Sequence, residues 1–246
     1  MQWTDVSVRL MHDFAEYTDF YKKLAAFLAP HLDRNGHICD AGCGIGYLGR
    51  EIASSCRLVT GVEMNPLAAK AAQQYHADIA NYTVKSGDIY LLPPSEPYDD
   101  MVCCFFGSVL ESLMIAKRQC KGRLIMVKRD MDHHRFSTKY VKLWKQPLIE
   151  ATYALEEWGI PFEKYDLTLE AGQPFRNLSD GVDFFTLYSQ EFRAAQITEQ
   201  EVYTRLSKGR EPYPYYLPME RKMGILIVNT KDIDGGKLCK KLSHLL

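Results

Sequence analysis

The stretch Ile38-Cys39-Asp40-Ala41-Gly42-Cys43-Gly44-Ile45-Gly46-Tyr47-Leu48-Gly49 decides the fold. The apolar run from His37 to Ala41 reads as a strand, and a helical stretch from about Tyr47 to Ser55 follows it. Glycines between the two let the backbone turn tightly and approach a ligand that a Cβ would exclude. Downstream the same alternation repeats. Arg57 to Glu63 reads as a second strand, and Asn65-Pro66 opens a helix, with Asn as cap and Pro in the first turn. Strands are predicted around Tyr82 to Lys85, Met101 to Phe106 and Arg123 to Lys128, with a helix from Ser108 to Gln119. Strands alternating with helices indicate βαβ units and a parallel sheet.

Upstream, Asp13 to Leu32 carries Phe14, Tyr17, Tyr21, Leu24, Phe27 and Leu28 near a 3.6 period and is predicted as one amphipathic helix. The last hundred or so residues change character. A helix from Pro147 to Trp158 stops at Gly159, with Pro161 beyond it. Glu163 to Glu170 alternates like a half-exposed strand, and Lys222 to Asn229 is a continuous apolar one. About fifty residues lie between them, with two helical patches and the aromatic run Glu211-Pro-Tyr-Pro-Tyr-Tyr-Leu-Pro218. With no repeat or linker, residues 1–246 read as one domain with a helical, aromatic insertion at about 171–221.

Two ligand readings compete for the glycine turn. Gly44, Gly46 and Gly49 form the GxGxxG of dinucleotide sites, with Glu63 at a plausible distance for a ribose. That register is awkward, because a strand ending near Ala41 makes Gly42 the first glycine of the turn. The pattern Asp40-x-Gly42-x-Gly44-x-Gly46 fits the strand end. Charge agrees: Asp40 would repel a pyrophosphate, whereas a cationic ligand suits it.

At these residues the chain resembles the class I methyltransferases that use S-adenosylmethionine (SAM). Asp40, Gly42, Gly44 and Gly46 match the first motif of that family, and Glu63 matches the acidic residue that holds the ribose hydroxyls. Asp88, after the third strand, stands where the family often touches the adenine amine. The segment Tyr98 to Gly107 resembles the fourth motif, whose end lines the transferred methyl. The resemblance implies a doubly wound, mostly parallel seven-stranded sheet with a C-terminal antiparallel strand pair. It also implies SAM as cofactor and S-adenosylhomocysteine as product, and extends the cofactor set to Cys43, Met64 and Ile89 beside those motif residues. Phe105 and Phe106 are candidates to wall the adenine or the methyl, and alternation along a strand allows only one of them to do so. The Asn/Asp-Pro-Pro-aromatic sequence that some amino-group methylators use is missing from the fourth motif.

Composition narrows the acceptor. The chain has 246 residues, 46% hydrophobic and 25% charged, with a formal net charge of -1. That balance offers no general attraction to nucleic acid or an anionic membrane. No segment reaches the length of a membrane span, and the amino-terminal stretch lacks an apolar signal core. The seven cysteines show no zinc spacing and read as buried hydrophobes of a reducing compartment. The expectation is a cytoplasmic enzyme that methylates a small molecule, holds no metal, and is compatible with a homodimer. An NAD(P)-dependent oxidoreductase with a Rossmann domain and a non-catalytic SAM-binding protein are the alternatives.

Candidate bases are His133 and His134, which follow the fifth strand and titrate near neutral pH. Tyr17 and Tyr21 could reach the same edge of the sheet or form a buried stripe. Tyr215 and Tyr216, in the insertion, are candidates to bind the acceptor, since tyrosine offers an apolar face and a hydroxyl. Lys128 and Arg129 could meet an anionic acceptor or simply be solvated at a strand end.

Overall fold

A computed structural model describes residues 3–133, 136, 142–143, 145–188, 197–236 and 238. In chain order the helices are α1 (Asp5–Tyr17), α2 (Phe20–Leu28), α3 (Tyr47–Ala53), α4 (Pro66–Tyr75), α5 (Val109–Gln119), α6 (Pro147–Glu157), α7 (Leu178–Tyr188) and α8 (Glu199–Tyr203). The strands are β1 (His37–Ala41), β2 (Leu58–Glu63), β3 (Tyr82–Ser86), β4 (Tyr98–Cys104), β5 (Cys120–Arg129), β6 (Glu163–Glu170), β7 (Gln173–Phe175), β8 (Ser207–Arg210), β9 (Tyr213–Leu217) and β10 (Glu220–Asn229).

Seven strands form the main sheet in the order β3-β2-β1-β4-β5-β10-β6. The first five run parallel. β10 lies antiparallel between β5 and β6, which makes the closing strand pair. The order reverses between β1 and β4, and such a switch point leaves a crevice at the carboxyl ends of the strands.

Side-chain alternation divides the core. Cys39, Ala41, Met101, Leu124 and Met126 pack on the face under α5 and α6. Ile38, Val102, Ile125 and Val127 pack on the other face with Phe20, Leu24 and Leu28 of α2 and Leu48 and Ile52 of α3. Helix starts follow their caps. Asn65 Oδ1 accepts the N–H groups of Leu67 and Ala68, and Ser108 with Glu111 closes a capping box on α5.

Two expectations are corrected. The amino-terminal helix is two helices, broken at Thr18. This residue is extended, and its hydroxyl donates back to the Phe14 carbonyl while accepting from the N–H of Phe20. The apolar periodicity continues across the break, which hid it. The insertion, read as helical, also contains an antiparallel sheet of order β7-β9-β8. Prolines 174 and 214 disguise two of its strands, β7 and β9, as turns. Pairing of β8 with β9 passes from Lys208↔Tyr215 to Arg210↔Tyr213, so Pro214, which has no N–H, falls between paired positions. Phe175, Phe184, Phe185, Val202 and Leu217 of the insertion form a core completed by Leu10 of α1.

Among the described residues, no helix is long and apolar enough to cross a membrane. Likewise, no group of three or more His, Cys, Asp and Glu side chains there could hold a metal ion.

Candidate active site

β1 stops at Ala41, and the chain then turns through Gly42 (φ 68°), Gly44 (φ 57°) and Gly46 (φ 84°). All three are left-handed, where a Cβ is strained. The N–H groups of Gly42 and Cys43 both donate to the Val62 carbonyl, tying the turn to β2. A Cβ on Gly42 would lie 2.1 Å from the Phe106 ring, and one on Gly44 would lie 3.1 Å from Trp3. Gly49 is different: it faces Tyr82, which a Cβ would approach to 2.7 Å. Its presence is a packing requirement between α3 and β3.

Glu63 ends β2 beside this turn. Its Oε2 accepts from the N–H of Gly44 at 2.9 Å, and its Oε1 from that of Asn65 at 2.8 Å. Asp40 is 1% exposed, and its Oδ2 has no hydrogen-bond partner. Burial pushes its carboxyl up to about 7, against the N–H of Gly49, which favours ionisation, and with Glu63 adding to the rise. Asp88 sits next to β2 because the Gly87 N–H donates to the Glu63 carbonyl; Asp88 Oδ1 itself accepts from Tyr90. Ile89 is buried, while Met64 is 69% exposed, an apolar side chain open to a ligand directly after Glu63.

Beyond β4 the chain bends at Phe105, the one non-glycine with positive φ (53°) among the described residues. Phe105 and Phe106 then part. Phe106 packs over Gly42 with the cluster under α5. Phe105 packs with the opposite cluster, and the guanidinium carbons of Arg129 and Arg221 each lie 5.1 Å from its ring centre. Lys128 is 4% exposed and donates to the carbonyls of Phe106 (3.1 Å) and Gly107 (2.8 Å). It therefore pins the segment after β4 to β5. Next to it opens a cavity of about 470 Å³ with walls that include Phe105, Lys128, Arg129, Lys145, Glu150 and Trp158.

The remaining candidates are placed as follows. Tyr21 is half-buried, stacks on Tyr47, and donates to Met11 Sδ; burial raises its pKa. Tyr17 stacks on Tyr216 at 5.1 Å, and the Tyr216 hydroxyl bonds Glu170. Tyr215 packs against the core of the insertion, edge-on to Tyr203. These contacts join the insertion to α1 and β6. His133 is exposed, its Nδ1 bonded to Asp132 at 2.6 Å, and its backbone pairs with that of Lys142 in an isolated antiparallel bridge. His134 lies outside the described residues.

Sequence reasoning missed Arg221 altogether. The signal was present: Arg221, Met223, Ile225 and Ile227 alternate along β10, and the last three face the same cluster as Phe20. Counting two residues back from Met223 puts Arg221 on that face. Trp3, over Gly44, carried no comparable signal.

Residues 38–121 match a family model described as a methyltransferase domain. An uncharacterized methyltransferase of Schizosaccharomyces pombe is 30% identical over 118 residues, which are 47% of this chain and 43% of that protein. The chain thus spans less than half the length of this curated relative. Among solved structures, the YcgJ protein of Bacillus subtilis aligns with a TM-score of 0.53 at 13% identity, over 86% of this chain and 99% of that one. A candidate methyltransferase from Bacillus halodurans aligns with a TM-score of 0.53 at 16% identity, over 85% of this chain and 98% of that one.

Proposed function

We propose, from the premise that this chain has the class I methyltransferase fold and a methyltransferase domain over residues 38–121, that it transfers a methyl group from SAM to a small-molecule acceptor. The observation that carries the reading is the glycine turn itself. It is left-handed at Gly42, Gly44 and Gly46, with the buried, orphaned Asp40 oxygen below it and Glu63 beside it.

These residues fit the cofactor. SAM is cationic at its sulfonium and α-amino groups, which a carboxylate accommodates and a pyrophosphate-binding turn does not need. Each Glu63 oxygen has accepted one N–H and keeps a lone pair for a ribose hydroxyl. Met64 offers an apolar face to the adenine, and Asp88 and Ile89 flank the same side. When bound, SAM supplies an electrophilic methyl and a good thioether leaving group. The chain's contribution is then alignment and exclusion of water, a gain of up to ~7–11 kcal/mol from proximity and orientation. Phe106 packs on the turn and Phe105 walls the neighbouring cavity. A cavity of about 470 Å³ suits a small organic acceptor.

The test is thermal unfolding with added nucleotides. S-adenosylhomocysteine at a hundredfold excess over its dissociation constant should stabilise the fold by ~2.7 kcal/mol. NAD and NADP should leave it unchanged. Stabilisation by NAD with none by S-adenosylhomocysteine would reject the methyltransferase reading.

A further inference from the structure

The cavity beyond β4 is electrically unlike the rest of the molecule. The chain has a formal net charge of -1. Yet Lys128, Arg129 and Lys145 stand in this wall against a single acidic residue, Glu150. Phe105, Val109, Leu110 and Trp158 give it apolar walls as well.

Behind Phe105 lies a second guanidinium. The Arg221 carbon is 5.1 Å from the Phe105 ring centre and 5.2 Å from that of Phe20. Arg129 is at the same distance from Phe105, so the two charges stand at most about 10 Å apart. Among the described residues, no carboxylate pairs with either one. The Arg221 Nε is buried without a hydrogen-bond partner. Burial, and then the charge of Arg129, lowers the Arg221 pKa to about 10. Arg221 is half-buried, and its charge repels that of Arg129, which is exposed at the end of β5 and accessible from the cavity. An oxyanion at Arg129 offsets that repulsion, and guanidinium geometry matches one well.

We propose that the methyl acceptor is an organic acid. Its apolar body fills the cavity walled by Phe105 and Trp158, and its oxyanion group is drawn to the Arg129–Arg221 pair. This inference rests on the methyltransferase reading and specifies its acceptor. Arg129 binds the acceptor from the cavity wall. Arg221 acts from behind Phe105, through its charge, as a positioning residue.

The experiment is calorimetric titration of the full chain saturated with S-adenosylhomocysteine. The probes are 2-naphthoate, its uncharged counterpart 2-naphthamide, and inorganic phosphate. The acid should bind at least tenfold more tightly than the amide. Arg129→Gln should reduce that preference to less than threefold, with S-adenosylhomocysteine affinity unchanged. Arg221→Gln should weaken acid binding several-fold, and Arg221→Lys should restore most of it. If Arg221→Gln fails to fold, Arg129→Gln alone decides. Phosphate binding more tightly than naphthoate, with the same dependence on Arg129, would also support an anionic acceptor and assign its oxyanion as a phosphate. Equal binding of acid and amide, indifference to Arg129, or no binding by either anion overturns the proposal. S-adenosylhomocysteine binding is read first in the same samples. Its absence would reject the methyltransferase reading, whereas its presence without acid binding would reject only the acidic acceptor.

Discussion

Glu63 and Asp40 meet the same turn with different chemistry, and each carries a prediction. Glu63 keeps lone pairs for two ribose hydroxyls, and hydrogen bonds to a charged group contribute ~1.5–3 kcal/mol each. Glu63→Ala is therefore expected to weaken S-adenosylhomocysteine binding at least tenfold by calorimetry, with the far-ultraviolet dichroism unchanged. Affinity within twofold of the parent would remove Glu63 from the ribose site. Asp40, with its carboxyl pushed up to about 7, is mostly protonated at pH 6 and mostly ionised at pH 8. A cationic ligand favours the ionised form. Binding should thus tighten as pH rises across that window, by up to about tenfold, and Asp40→Asn should flatten the profile. A flat profile in the parent would show that the ligand's positive groups do not meet Asp40. The positions of both residues were legible in the sequence because they depend on where a strand ends, which local chemistry sets. Arg221 was not, since its importance comes from Phe20 and Phe105, brought to it from α2 and from the end of β4.

The contact between α1 and the insertion is built largely from charge. Asp13, 1% exposed, accepts from Arg176 at 2.6 and 3.0 Å and from the Tyr213 hydroxyl at 3.0 Å. Arg9 pairs with Asp180 at 2.8 Å, and the Gln173 amide donates to the Leu10 carbonyl. Breaking a buried pair costs ~3–5 kcal/mol, and the half-exposed guanidinium of Arg176 brings the expected loss for Arg176→Ala down to roughly 2–3 kcal/mol. Urea denaturation would measure it. Adding Asp13→Asn should recover part of the loss by removing the stranded charge, whereas strictly additive losses would argue against the pair. Elements of the main sheet were legible from their hydrophobic patterns: His37 to Ala41 stands where an apolar run put it, and Glu163 to Glu170 where alternation did. The capping box of Thr198 and Glu201 likewise starts α8. β7, β8 and β9 escaped because three to five residues give alternation too little length to register, and a proline interrupts β7 and β9.

At the scale of the molecule, the insertion and α1 share one core and the joint of Tyr17 with Tyr216. Neither Tyr215 nor Tyr216 lines the cavity, so changing both to Ala should lower the urea midpoint by loosening this joint while S-adenosylhomocysteine affinity stays within twofold. An unchanged midpoint would show that the joint adds nothing to stability. The sheet order has a further consequence, for synthesis. β5 is complete at residue 129 and β6 at residue 170, but the strand that joins them begins only at residue 220. At ~5–20 residues per second, a growing chain leaves the β5 edge bare for roughly 5–20 seconds before β10 emerges. That edge carries Ile125, Met126 and Val127, a run well suited to pairing with another nascent chain. Substitutions in β10 should therefore reduce soluble yield in the cell by more than they reduce the equilibrium stability of the protein that does fold.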